Sequence, residues 1–246
     1  MIRRLVVRTT RFRATWLVLG LLVGTLIIAV VVGVANLSRP DQASSGGSSP
    51  PATSTPAPTV PALAGDTLQA GTYALAHGLN ATMTVPDGWG NLDQRGVFKD
   101  SDGSSFMAVV FWPFPTDFNE VYSDPCDWST TVIEPPVGPT VDDLANALAA
   151  QAMRGDADPT DVTVDGFEGK YLDMSVPSDI DFADCDSGEF RSWAGRFHQG
   201  PGQVDRVYIL DVDGQRQVLI VHHMPATSAS DLAEQQAVFE SIDILP

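Results

Sequence analysis

Two cysteines in 246 residues are too few for a four-thiolate zinc site or for a small scaffold held by many bridges. Basic residues are scarce as well. The chain carries 14 Lys and Arg against 31 Asp and Glu, a formal net charge of −17. Six of the arginines (Arg3, Arg4, Arg8, Arg11, Arg13 and Arg39) fall in the first 40 residues, which hold no acid. That leaves eight basic residues against all 31 acids in 41–246, a net −23. A body so acidic repels phosphate, which excludes nucleic acid as its partner. Also missing are a Gly-x-Ser-x-Gly elbow, a Gly-rich phosphate loop ending in Lys-Ser/Thr and a His-Glu-x-x-His pair. No repeat of solenoid or propeller period is present.

What the N-terminal part does have is one long apolar run. It opens at Ala14 and closes at Ala35, 22 residues without a charge. As a helix it rises about 33 Å, enough for a hydrocarbon core of roughly 30 Å. A buried core helix would show a polar stripe, and none is present. Gly33-Val34-Ala35 loosely fits a signal-peptidase site, but the run exceeds the usual apolar region of a cleaved signal, so its length favours an uncleaved anchor. Five arginines precede the span and Arg39 alone follows closely. The positive-inside bias then keeps the tail 1–13 cytoplasmic, sets the membrane helix at 14–37 and sends the C-terminal bulk outside. The stretch 38–64, with six Pro and almost no large apolar residue, reads as a disordered linker. As flexible coil its 27 residues reach about 29 Å.

Residues 65–246 are enough for one domain with a single core. Asp165-Gly166 and Asp213-Gly214 each sit between alternating apolar runs, predicting hairpins 160–164/167–176 and 204–212/215–223. Further strands are expected at 73–77, 81–85, 106–112 and 189–197. Thr140 is placed to cap a helix over 141–153, with Asp143 closing an acidic variant of the capping box. Val141, Leu144, Ala145, Leu148, Ala149 and Ala152 fall on one face of it. A second helix begins near Ser228 and presents Leu232, Phe239 and Ile242. Hairpins with two helices give an α+β fold, an antiparallel sheet with two or more packed helices.

Val85-Pro86-Asp87-Gly88-Trp89, Asp124-Pro125-Cys126-Asp127-Trp128, Val164-Asp165-Gly166-Phe167-Glu168-Gly169 and Leu210-Asp211-Val212-Asp213-Gly214 carry a resemblance. They resemble an uncharacterised family of membrane-anchored extracytoplasmic domains of actinobacteria, distantly similar to lipoproteins with the PsbP-like fold. The resemblance spans roughly 70–246. It implies a fold and a location and carries no catalytic residues. The chain departs from the lipoprotein pattern in having no acylatable Cys after the apolar run.

Cys126 and Cys185 lie on the side expected to be oxidising, where a bridge can form. Asp124 and Asp127 flank one, Asp184 and Asp186 the other. Such charge raises a thiol's pKa and dulls it, which favours a structural disulfide over two redox thiols. A bridge would also gather those four carboxylates, with Asp179 and Asp181 close behind. A solvated acidic loop is one reading; calcium shared among Asp124, Asp127, Asp184 and Asp186 is the other, and calcium is the only cofactor the sequence suggests. His222 and His223 are neighbours in a strand and point to opposite faces, so they cannot form a two-His metal site; one is expected on the covered face and one in solvent. The remaining histidines are His77 and His198. Trp112, Phe114 and Trp128 form either the end of a core strand or an exposed platform for a glycan or peptide.

The expected function is therefore that of a single-pass, membrane-anchored, extracytoplasmic and non-catalytic binding module of the cell envelope. Its partner would be a protein or an envelope component. The alternatives are an envelope hydrolase using paired carboxylates and a carrier for an apolar or lipid ligand. A pocket, and what lines it, separates the three.

Overall fold

Apolar runs such as those at 107–111 and 218–221 suit a strand covered on both faces rather than one. The computed structural model, which describes residues 59–77, 79–100, 105–154 and 157–245, places both runs at the centre of a seven-stranded antiparallel sheet. In chain order its strands are β3 (Gly90–Asn91), β4 (Gly96–Lys99), β5 (Met107–Phe111), β6 (Thr160–Val164), β7 (Phe167–Ser175), β10 (Val204–Val212) and β11 (Gln215–His223). Their spatial order is β3-β4-β5-β11-β10-β7-β6. A second sheet holds β1 (Gly71–Ala74), β2 (Ala81–Val85) and β12 (Asp243–Ile244) in the order β1-β2-β12. The short pair β8 (Arg191–Trp193) and β9 (Arg196–Phe197) stands apart. Two α-helices complete the described residues, α1 (Val141–Ala149) and α2 (Ala229–Glu240). The fold class is α+β, as expected.

Two cores lie back to back on the large sheet. On one face Val109, Phe111, Leu219 and Val221 pack with Val238 of α2 and with Met83 and Ile244 of the small sheet. On the other, Val110, Ile209, Val218 and Ile220 pack with Leu144 and Leu148 of α1 and with Phe118, Val121 and Trp193. Both Asp-Gly hairpins form, with Asp165 at φ 48° and Gly166 at 85°, and Asp213 at 53° and Gly214 at 79°, the left-handed values such turns require. The Thr140 box forms too: Asp143 N donates to Thr140 Oγ1 (3.1 Å) and Thr140 N to Asp143 Oδ2 (3.0 Å).

The structure corrects several expectations. Helix α1 stops at Ala149, not Met153, because tertiary bonds replace its last turn. Gln151 Nε2 donates to the carbonyls of Tyr122 (2.8 Å) and Ser192 (2.7 Å), and Ala152 N donates to Ser123 O. The expected strand 189–197 is broken into β8 and β9 by Gly195 at φ 77°. A Cβ there would stand 2.8 Å from Asp117 Oδ2, so both the turn and the contact call for glycine. Leu232 is only half-buried; Gln235 and Val238 are the buried residues of α2. Because both sheet faces are covered, His223 is half-buried rather than in solvent. The domain also reaches back past residue 65: Leu63 is fully buried and bonds through its N–H to Ala74 O (2.9 Å). The expected basic tail 1–13, membrane helix and linker up to residue 58 lie outside the described residues.

Candidate functional site

A buried aspartate at the start of a strand needs partners, and Asp205 of β10, 2% exposed, has them. The Arg196 guanidinium reaches its Oδ2 through Nε (3.2 Å) and Nη2 (2.6 Å), while Gln203 Nε2 donates to Oδ1 (2.7 Å). Burial alone would raise the Asp205 carboxyl, but the Arg196 cation, with the Gln203 hydrogen bond, outweighs it and holds it well below the usual carboxylate range. His198 stands next, its Nδ1 3.5 Å from Asp205 Oδ2. Its Nε2 is 2.9 Å from Ser192 Oγ and 2.9 Å from Arg154 Nη2. Ser192, His198 and Asp205 thus follow one another in the order of a hydrolase's nucleophile, base and acid.

Arg154 decides what that chain can do. A guanidinium only donates, so His198 Nε2 is an acceptor whose lone pair Arg154 occupies, and the ring proton faces Asp205. Arg154 Nη2 also donates to Ser192 Oγ. Ser192 is wholly buried, and Arg154 Nη2 lies against its hydroxyl. Burial first, and the Arg154 cation second, push the His198 imidazole well below its ordinary value. The chain is a sealed polar brace that ties β8, β9 and β10 to the segment after α1.

On its outer side this brace meets a recess of about 250 Å³. Arg196 belongs to both, and His222, Arg95, Phe106, Trp112 and Phe197 are among the other walls. Arg95 enters from the β3–β4 turn and lies over the rings of Trp112 (4.9 Å) and Phe114 (5.8 Å). Its nearest ion partner is Asp93 at 3.9 Å, whose side chain is 80% exposed. Arg95 Nη1 and His222 Nδ1 are both buried and without a hydrogen-bond partner. Burial, with Arg196 adding to it, pushes the His222 imidazole down to about 3, so it is neutral. Arg95, Arg154 and Arg196 are three of the eight cations in 41–246, and Arg196 lies close enough to lower the basicity of the other two, burial being the larger cause in each.

The residues singled out from the sequence distribute differently. Cys126 and Cys185 are joined in a disulfide with their Cα atoms 4.5 Å apart. Asp124 Oδ1 accepts from the backbone N–H of Cys126 (2.9 Å) and Asp127 (3.3 Å), and Asp186 Oδ2 from Ser129 N (2.9 Å) and Oγ (2.6 Å). Asp127 and Asp184 are exposed. Among the described residues no three His, Cys, Asp or Glu side chains are grouped to hold a metal ion. Trp112, 8% exposed, follows β5 directly and lies inside the core against Trp193, its Nε1 donating to Asp117 Oδ2 (3.2 Å). Phe114 is 47% exposed. Trp128 lies with the disulfide loop, donating to Asp186 O (2.9 Å) under the Arg191 guanidinium (4.1 Å), and its ring neighbour is Tyr122. The three aromatics do not form one platform.

Arg95, Arg154, Arg196, Gln203 and Asp205 were not singled out by motif. For the three arginines the signal was scarcity, since a charge rare in the composition must be placed deliberately; Gln203 and Asp205 carried no such signal. No protein-family model matches the chain, and no curated protein matches it in sequence. Among the described residues no helix is long and apolar enough to cross a membrane, and 14–35 lies outside them. The candidate function rests on the geometry of the recess.

Proposed function

We propose that this chain is a single-pass membrane protein whose extracytoplasmic α+β domain binds a ligand without transforming it. The recess carries the reading: it offers fixed donors and aromatic walls, while the Ser192 hydroxyl behind it is sealed by Arg154. A binding site needs the first and a hydrolase needs the second open. The Cys126–Cys185 bridge supports the location, since such bonds persist where the compartment is oxidising. An anchor at 14–35 and the Pro-rich stretch after it would display the domain away from the bilayer. The likeness to anchored actinobacterial domains points the same way.

The test is crosslinking on the full chain in intact cells. A photoreactive phenylalanine analogue replacing Phe197, 53% exposed on the recess wall, is expected to yield a discrete adduct. The same group at Thr163, exposed on the edge strand β6, is expected to yield none. Equal capture at both positions, or cysteines that alkylate in whole cells without reductant, would set the reading aside.

A further inference from the structure

We propose that the recess is built for a small monocarboxylate carrying a flat apolar body, a class of ligand that rests on the binding-module reading. Arg196 is oriented before any ligand arrives, since Asp205 holds it from behind and its Nη1 donates to Phe197 O (3.0 Å). Arg95 comes from a different segment and is positioned by stacking on Trp112. A planar guanidinium is the group that pairs best with a planar carboxylate.

Unpartnered polar atoms make the case specific. His222 is 3% exposed and lines the recess, yet its Nδ1 bonds to nothing, and Nη1 of Arg95, another lining residue, is in the same condition. A buried polar atom without a partner costs free energy, and two around one opening are what a site looks like before its ligand supplies the partners.

Charge limits the ligand to one negative unit. Asp93 lines the recess and Asp117 stands beside Gly195 at its edge. Asp93 and Asp117 stand against the two guanidiniums that line the recess, Arg95 and Arg196, so a dianion such as phosphate would meet two carboxylates in a domain already strongly negative. Shape limits it further. Phe106 packs against the His222 ring at 5.1 Å, and Trp112 and Phe197 make the remaining apolar walls. About 250 Å³ is less than drug-sized sites occupy, which excludes oligosaccharides and acyl chains.

The experiment is calorimetric titration of the full chain in detergent with benzoate, benzamide, acetate and inorganic phosphate. Benzoate is expected to bind saturably, benzamide and acetate at least about tenfold more weakly, and phosphate not to compete. Arg95→Gln should weaken benzoate by about tenfold or more and Phe197→Ala by severalfold, with Thr163→Ala unchanged. Benzamide binding as well as benzoate, phosphate displacing it, benzoate indifferent to Arg95→Gln, or no saturable benzoate binding up to about 10 mM overturns the proposal. Should Arg95→Gln not fold, the benzoate–benzamide contrast and the surface variant Phe197→Ala decide alone. If Phe197 still captures an adduct in cells while benzoate fails, the ligand class falls and the binding module stands; if both fail, both fall.

Discussion

Around Asp205, six polar side chains (Arg154, Ser192, Arg196, His198, Gln203 and Asp205) are packed at 6% exposure or less. Around the Cys126–Cys185 bridge, Asp124, Asp127, Asp184 and Asp186 lie at or near the surface, two bonded to backbone N–H groups and two open to solvent. The second region dominates the sequence, because acids are abundant and cluster visibly beside the cysteines. The first dominates the structure. In a chain with an excess of one charge, the abundant sign covers the surface, where water screens it, and the scarce sign marks where desolvated pairing was required. The comparison should break most sharply when each region loses its central group.

Asp205→Asn is expected to have the largest effect. It leaves Arg196 and Arg154 buried without their anion, which typically costs about 3–5 kcal/mol. For a domain of this size the melting temperature should fall by roughly 10 °C. A calorimetric scan showing a fall of only a degree or two would mean that water reaches the brace. Cleaving the Cys126–Cys185 bridge comes second. It closes a loop of 59 residues, and its loss through paired Cys→Ser changes should remove up to about 4 kcal/mol, chiefly by freeing the unfolded chain. Denaturant titration checks it: the midpoint should drop, and the brace, which shares no cysteine, should still form.

Acidification probes the brace by a different route. His198 and His222 are held neutral by burial first, with Arg154 and Arg196 adding to it. In the unfolded chain each takes up a proton below about pH 6.5. The unfolded state then binds more protons, so stability falls as pH drops below that value. Each histidine should remove about 2 kcal/mol between pH 7 and 5. Asp205 follows at lower pH, since its contribution is present above about 3.9 and is lost as acid protonates the folded carboxyl. Denaturant midpoints over this range, repeated with His198→Gln, would show the slope reduced by about half; an unchanged slope would place the titration elsewhere.

How far the fold could be read ahead of the structure follows from which forces set it. The two Asp-Gly hairpins, the Thr140 capping box and the α+β class are written in local chemistry, and they stand where expected. The end of α1 and the break in 189–197 are not local. Gln151 leaves the helix for carbonyls 29 and 41 residues away, and Gly195 turns at a left-handed φ where a Cβ would strike Asp117. The recess was the least legible part. Its walls come from four separate segments, and Trp112, the only platform aromatic that lines it, contributes as a core residue.

The smallest effect is expected from calcium, and it tests whether the acidic loop is more than solvated surface. Asp124 is already engaged by the N–H groups of Cys126 and Asp127, and Asp186 by Ser129, whose hydrogen bonds keep the Asp186 carboxyl below its ordinary value. A carboxylate so occupied must give up bonds to take a cation, and Asp127 and Asp184 alone supply too few oxygens for calcium's six to eight. The melt of the full chain should therefore be the same in EDTA and in millimolar Ca²⁺. A reproducible rise with Ca²⁺ that Asp184→Asn abolishes would reverse the comparison, making the visible cluster the ligand site and leaving the hidden arginines as scaffolding.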